Sequence, residues 1–137
     1  MTDRELVDLA IQMKERAYVP YSRFRVGAAL LCEDGTVITG CNVENAAYGL
    51  CICGEQAAIV KAISQGLHKF KAIAIAGDSE GPCVPCGACR QVINEFAAPD
   101  MPILCAAADG TYASYTLGQL LAHSFGPADL DRREALL

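Results

Sequence analysis

The sequence predicts an α/β fold, a sandwich of helices packed against one mixed sheet. Three observations carry that expectation. Segments with apolar residues at helical spacing alternate with short, almost wholly apolar segments of strand length. One pair of strand segments is separated only by a turn, which places an antiparallel pair in a sheet whose other connections run through helices. The 137 residues are 53% hydrophobic with a mean hydropathy of +0.25, enough apolar material for one packed core. No repeat, low-complexity tract or linker interrupts residues 1–137, so the chain reads as a single domain.

Each element has its own local warrant. Thr2 to Glu5, "TDRE", has the form of a capping box, and Leu6, Leu9, Met13 and Ala17 recur at helical spacing up to the break at Pro20. "VGAALLC" (26–32) and "TVITGC" (36–41) flank the turn formers Asp34 and Gly35 and read as a β-hairpin. A helix follows from about Gly54 to the stop at Gly66. "KAIAIAG" (71–77) reads as a buried strand, "SEGPCVP" (79–85) as a loop, and "CGACRQVINEF" (86–96) as a helix entered just after Pro85. "MPILCAA" and "YASY" are further strands around the turn at Asp109 and Gly110, and "TLGQLLAH" is a short helix.

Charge and termini narrow the partners. A net charge of −5 and a pI near 4.9, with no cluster of Lys and Arg, provide no field for a phosphate backbone, so nucleic acid is not an expected partner. The N-terminal "MTDRELVDLAIQMKER" is charged throughout and lacks a signal-peptide core, and no apolar run is long enough for a bilayer. The expectation is a cytoplasmic protein without a membrane partner.

Eight cysteines in a reducing compartment point to metal binding or burial rather than to disulfides. Cys32 and Cys105 lie in apolar runs and read as core thiols. Cys86 and Cys89 are three apart at a helix start, so both thiols face one side of the first turn. Cys53 begins the other central helix, and helix N-termini favour the thiolate that zinc needs. Three thiolates would leave the fourth tetrahedral position of zinc open, as in catalytic sites. Glu55 would then lie near that position without being a ligand, placed to move a proton. Two plainer readings stay open on spacing alone: Glu55 as a carboxylate complementing a helix dipole, and a closed four-thiolate site recruiting Cys51 or Cys83.

"CGEQ" (53–56) followed by "PCGACRQ" (85–91) resembles the zinc signature of cytidine deaminases of the small, homotetrameric type. The likeness continues through "YVPYSRFRVGAAL" (18–30), "GCNVENAAYGLC" (40–51) and "LLAHSFGPADL" (120–130), nearly end to end. The resemblance implies a mixed five-stranded sheet flanked by helices, a three-layer sandwich, and a homotetramer with one Zn2+ per subunit. It implies hydrolytic deamination of cytidine and 2′-deoxycytidine in pyrimidine salvage, with Cys53, Cys86 and Cys89 as zinc ligands and Glu55 as the proton carrier. By the same resemblance the Gly54 N–H donates to the base carbonyl, Asn42 and Glu44 hold the ribose 3′-hydroxyl, and Phe24 packs against the nucleoside. Phe125, Ala46 and Tyr48 would contribute across a subunit interface. Two other readings share parts of the pattern: a deaminase of an aminoacyl-nucleoside, and a non-catalytic zinc-stabilised interaction module. The chain departs from the family at Gln56, where Arg is common. A zinc ion with three thiolates has a formal charge of −1, and the uncharged Gln56 leaves the helix N-termini and Arg90 to offset it.

Overall fold

The structure, a computed structural model, describes residues 1–131. The first helix, α1 (Asp3–Met13), is capped by Thr2, whose hydroxyl oxygen accepts the Glu5 N–H at 3.1 Å. It stops earlier than the apolar spacing predicts. A 3-10 turn at Lys14–Arg16 replaces the last helical turn, and Lys14 is drawn inward, with Nζ 3.3 Å from the Gly77 carbonyl and 2.7 Å from the Asp78 carboxylate. A tertiary ion pair thus overrides the local pattern.

Strands β1 (Val26–Cys32) and β2 (Val37–Cys41) form the expected hairpin. Gly35 at φ +92 makes its turn, and Asp34 Oδ1 accepts the Thr36 N–H at 2.9 Å. Strand β3 (Phe70–Gly77) pairs antiparallel with β1, β4 (Pro102–Ala106) runs parallel to β3, and β5 (Tyr112–Thr116) returns antiparallel to β4. The result is a mixed five-stranded sheet in the order β2-β1-β3-β4-β5.

The central strand shows why the sheet has helices on both faces. In β3, Ile73 and Ile75 point to one side, where Ala58, Ile59 and Ala62 of α2 (Gly54–Ser64) and Ile93 of α3 (Gly87–Phe96) meet them. Ala72, Ala74 and Ala76 point to the other side, and their small size admits α1 through Leu6, Val7 and Ala10. That approach is close enough that a Cβ on Gly27 of β1 would collide with the Ala10 carbonyl and lie 2.7 Å from the Lys14 nitrogen. The three-layer sandwich is therefore a consequence of alternating Ile and Ala in one strand.

The C-terminal region is more broken than expected. Helix α4 (Leu117–Leu120) occupies four residues of the segment 116–123, framed by a Thr116/Gln119 capping box. A further short helix, α5 (Pro127–Asp131), was not anticipated, because five residues are too few to show a period.

Candidate active site

Helices α2 and α3 begin side by side, and their N-cap residues are Cys53 and Cys86. Neither thiol caps its own helix, so both are free to turn toward a common point. Cys89, buried in the first turn of α3, joins them: the three Sγ atoms lie within 4.8 Å of one another, and those of Cys86 and Cys89 are 3.4 Å apart. A tetrahedral site with Zn–S bonds of about 2.3 Å has sulfur–sulfur edges of roughly 3.8 Å, so the cluster has the dimensions of a three-thiolate zinc site.

The protonation of these thiols points the same way. Hydrogen bonding with Cys89 pulls the Cys53 thiol down to about 7 despite its burial, and that same contact, aided by burial, pushes Cys89 far upward. Three soft sulfur donors at this spacing suit zinc in type and geometry, and zinc binds them as thiolates. Among the described residues, Cys53, Cys86 and Cys89 are the group that converges in this way.

The other cysteines stand outside this cluster, although Cys51 and Cys83 line the cleft. Cys51 accepts the Asn45 N–H at 3.3 Å and faces the Asn45 carbonyl at 3.7 Å. Cys83 lines the cleft, but burial, then the charge of Glu55, pushes its thiol up to about 11. Cys32 and Cys105 lie in the core.

Glu55 follows the N-cap of α2 and is 4% exposed. Burial raises its carboxyl above the ordinary range, partly offset by hydrogen bonding to its own backbone N–H and to Cys89. A carboxyl raised in this way holds a proton more readily than a solvated surface glutamate, which suits a proton carrier. Gln56 directs Nε2 to the Cys89 sulfur at 3.4 Å. Arg90 is engaged with backbone instead of sulfur: Nε donates to the Pro85 carbonyl at 2.8 Å and Nη1 to that of Leu120 at 2.7 Å. It braces the loop leading into Cys86.

The three thiols and Glu55 line a cleft of about 300 Å³ together with Gly54, Phe24, Asn42 and Glu44. Asn42 Nδ2 donates to the Phe24 carbonyl and Oδ1 accepts the Val26 N–H, both at 2.9 Å. Glu44 Oε1 accepts the N–H groups of Tyr21 and Ser22, both at 3.0 Å, and hydrogen bonds from Ser22 hold the carboxyl below its usual range. Each side chain keeps donor or acceptor capacity for a ligand, because an amide has a second N–H and a carboxylate a second oxygen.

Not all the expected residues meet here. Ala46 and Tyr48 are exposed on the loop beyond Glu44, Tyr48 lying edge-on to Tyr21 with ring centroids 5.8 Å apart. Phe125 is exposed outside the cleft wall, its carbonyl held by Gln91 Nε2 at 2.8 Å and Asn94 Nδ2 at 3.1 Å. Cys83 and Val84 line the cleft without having been expected there. The cysteine spacing marked Cys83 as a ligand alternative, and no sequence signal marked it as a wall.

Comparison with known proteins agrees with this geometry. The profile of the cytidine and deoxycytidylate deaminase zinc-binding region matches residues 1–105. A cytidine deaminase of Sporosarcina psychrophila is 48% identical over 130 residues, covering 95% of this chain and 96% of its own. One from Mycobacterium tuberculosis is 44% identical over 123 residues, covering 90% and 89%. Among solved structures, the cytidine deaminase from Burkholderia pseudomallei superposes with a TM-score of 0.88 at 45% identity, over 91% of this chain and 100% of that one. The structure from Mycobacterium tuberculosis gives 0.80 at 40% identity, over 92% and 99%. With the profile crossing both helix starts that carry the thiols, the chain belongs to the cytidine and deoxycytidylate deaminase family.

Proposed function

We propose that this enzyme converts cytidine and 2′-deoxycytidine to uridine and 2′-deoxyuridine with release of ammonia, with one Zn2+ per subunit held by Cys53, Cys86 and Cys89. The observation that carries the reading is a buried carboxyl, Glu55, lining one cleft with three converging thiols and with the polar groups of Asn42 and Glu44. Zinc there would supply a Lewis acid that makes water nucleophilic at neutral pH. Glu55 takes the proton of the attacking water and delivers it to ring nitrogen N3 as oxygen bonds to C4. Glu55 then moves the second water proton to the exocyclic amino group, the C4–N bond breaks, and ammonia leaves as the C4 carbonyl forms. The N–H groups at the start of α2, Gly54 foremost, have no intrahelical partner and suit the base carbonyl. Asn42 and Glu44 hold the ribose 3′-hydroxyl, Phe24 packs against the nucleoside, and Gln56 supports the Cys89 sulfur.

The enzyme acts as a single-domain subunit of a cytoplasmic homotetramer in pyrimidine salvage, with Phe125, Ala46 and Tyr48 completing neighbouring sites. Among the described residues no helix is long and apolar enough to cross a membrane. Exposed apolar side chains at Tyr18, Val43 and Ile52, joined by backbone bridges, support the covering of this face by another subunit.

The test is to mix purified protein with cytidine or 2′-deoxycytidine and follow loss of the cytosine ultraviolet spectrum together with ammonia. Turnover of both is expected. Glu55→Gln should retain zinc and fold while losing at least about 10²–10⁴-fold in kcat. No ammonia from zinc-loaded protein, or more than about a tenth of the activity in Glu55→Gln, would overturn the reading.

A further inference from the structure

The segment that presents Phe24 to the cleft is held from several sides. Arg23 has φ +60, a left-handed conformation that a non-glycine residue keeps only where its surroundings enforce it. The enforcement is visible. The Phe24 N–H donates to Ser22 Oγ at 3.0 Å, the Phe24 carbonyl accepts from Asn42, and the next N–H, that of Arg25, donates to Asp78 Oδ2 at 3.0 Å.

Of these anchors Asn42 lines the cleft while Ser22 and Asp78 do not, and Asp78 sits just past the end of β3. It is also the most heavily committed. Oδ2 accepts Arg25 Nε at 3.0 Å, while Oδ1 accepts Arg25 Nη2 at 3.1 Å and the buried Lys14 ammonium at 2.7 Å. Lys14 in turn donates to the carbonyl of Gly77, the residue before Asp78. Two cations from two different segments therefore fix one carboxylate on the rigid end of a central strand. Gly77 matters too: a Cβ there would collide with the Cys83 sulfur and approach the Phe24 ring to 3.2 Å, so the ring rests directly on the strand end.

We propose that Asp78 is a positioning residue for nucleoside binding, holding the Arg25 backbone so that the Phe24 ring stays over the end of β3 and faces the substrate. This deepens the functional reading above and rests on its assignment of Phe24 as a nucleoside contact. Without the carboxylate the strained turn at Arg23 can relax and the ring can leave its seat. The proton-carrying Glu55 stands on a different element, so substrate affinity changes while the chemical step does not.

The test is a double-mutant cycle on zinc-loaded enzyme, with kcat and KM for cytidine measured in wild type, Phe24→Ala, Asp78→Ala and the double variant. Phe24→Ala and Asp78→Ala should each raise KM about tenfold with kcat within about threefold, and the double variant should bind no worse than Phe24→Ala alone. A purely structural carboxylate would instead give KM penalties that multiply, and that outcome, or an unchanged KM in Asp78→Ala, overturns the inference while leaving the function intact. An unchanged KM in Phe24→Ala overturns both the Phe24 assignment and the inference. If Asp78→Ala does not fold, Asp78→Asn, which keeps an oxygen for the Arg25 N–H, replaces it under the same criterion, with a smaller rise expected.

Discussion

At the scale of the residue, the site separates cysteines that spacing leaves equivalent. Cys83, Cys86 and Cys89 are each three apart, yet Cys83 precedes Pro85 on an irregular loop, and its half-buried thiol packs against Gly77 instead of joining the cluster. Serine at Cys53, Cys86 or Cys89 should therefore abolish zinc binding and activity, whereas Cys83→Ser and Cys51→Ser should retain about one zinc per chain, as measured by atomic emission. Equal loss from Cys83→Ser and Cys86→Ser would contradict the ligand set. Gln56 offers a second residue-scale test. Its amide lies 3.4 Å from the Cys89 sulfur and carries no charge, so it supports the sulfur without offsetting the net negative charge of a three-thiolate zinc centre. An Arg at this position adds a positive charge, which favours the deprotonated site. In Gln56→Arg the acidic limb of kcat should move to lower pH, read from pH profiles at equal zinc content. Superimposable profiles would show that residue 56 does not set the electrostatics.

At the scale of the element, the position of Glu55 depends on how closely α2 lies on β2. A Cβ on Gly40 would stand 2.6 Å from the Ala58 nitrogen and 2.7 Å from the Gly54 carbonyl oxygen, both backbone atoms of α2. No side-chain rotation relieves such a clash. Gly40→Ala should cost about 1–3 kcal/mol, the range for overpacking, seen as a lower urea midpoint. It should also lower kcat, because the start of α2 carries Cys53, Gly54 and Glu55 and must shift. A variant with unchanged midpoint and kcat would show that the helix can retreat as a body. The regular elements were legible because their signals are local: a hairpin turn at Asp34-Gly35, apolar runs for β3 and β4, and the stop of α2 at Gly66. The end of α1 was not, because the ion pair of Lys14 with Asp78 joins residues 64 positions apart.

At the scale of the whole molecule, activity in the proposed tetramer depends on residues that one chain leaves in solvent. Phe125 is 61% exposed, yet two amide side chains of α3 clamp its carbonyl, an arrangement suited to presenting a ring outward. Phe125→Ala should raise KM for cytidine with little effect on thermal midpoint, since a stacked base loses about 1–3 kcal/mol of contact. Dilution that dissociates the assembly should abolish turnover while circular dichroism stays folded. A sedimenting monomer with full activity would overturn the shared-site arrangement.

By itself the sequence determined the fold class, the order of the main elements and the candidate chemistry, because helix and strand periods, turn glycines and the cysteine–glutamate spacing act within a few residues along the chain. Which three of the cysteines converge was decided only in three dimensions, where two helix starts 33 residues apart, at Cys53 and Cys86, come side by side on one face of the sheet. The same holds for the burial that raises the Glu55 carboxyl, the engagement of Arg90 with backbone carbonyls, and the anchoring of the Phe24 segment by Asp78. Each of these depends on what packs beside a residue. Such neighbours come from distant segments, and no local pattern specifies them.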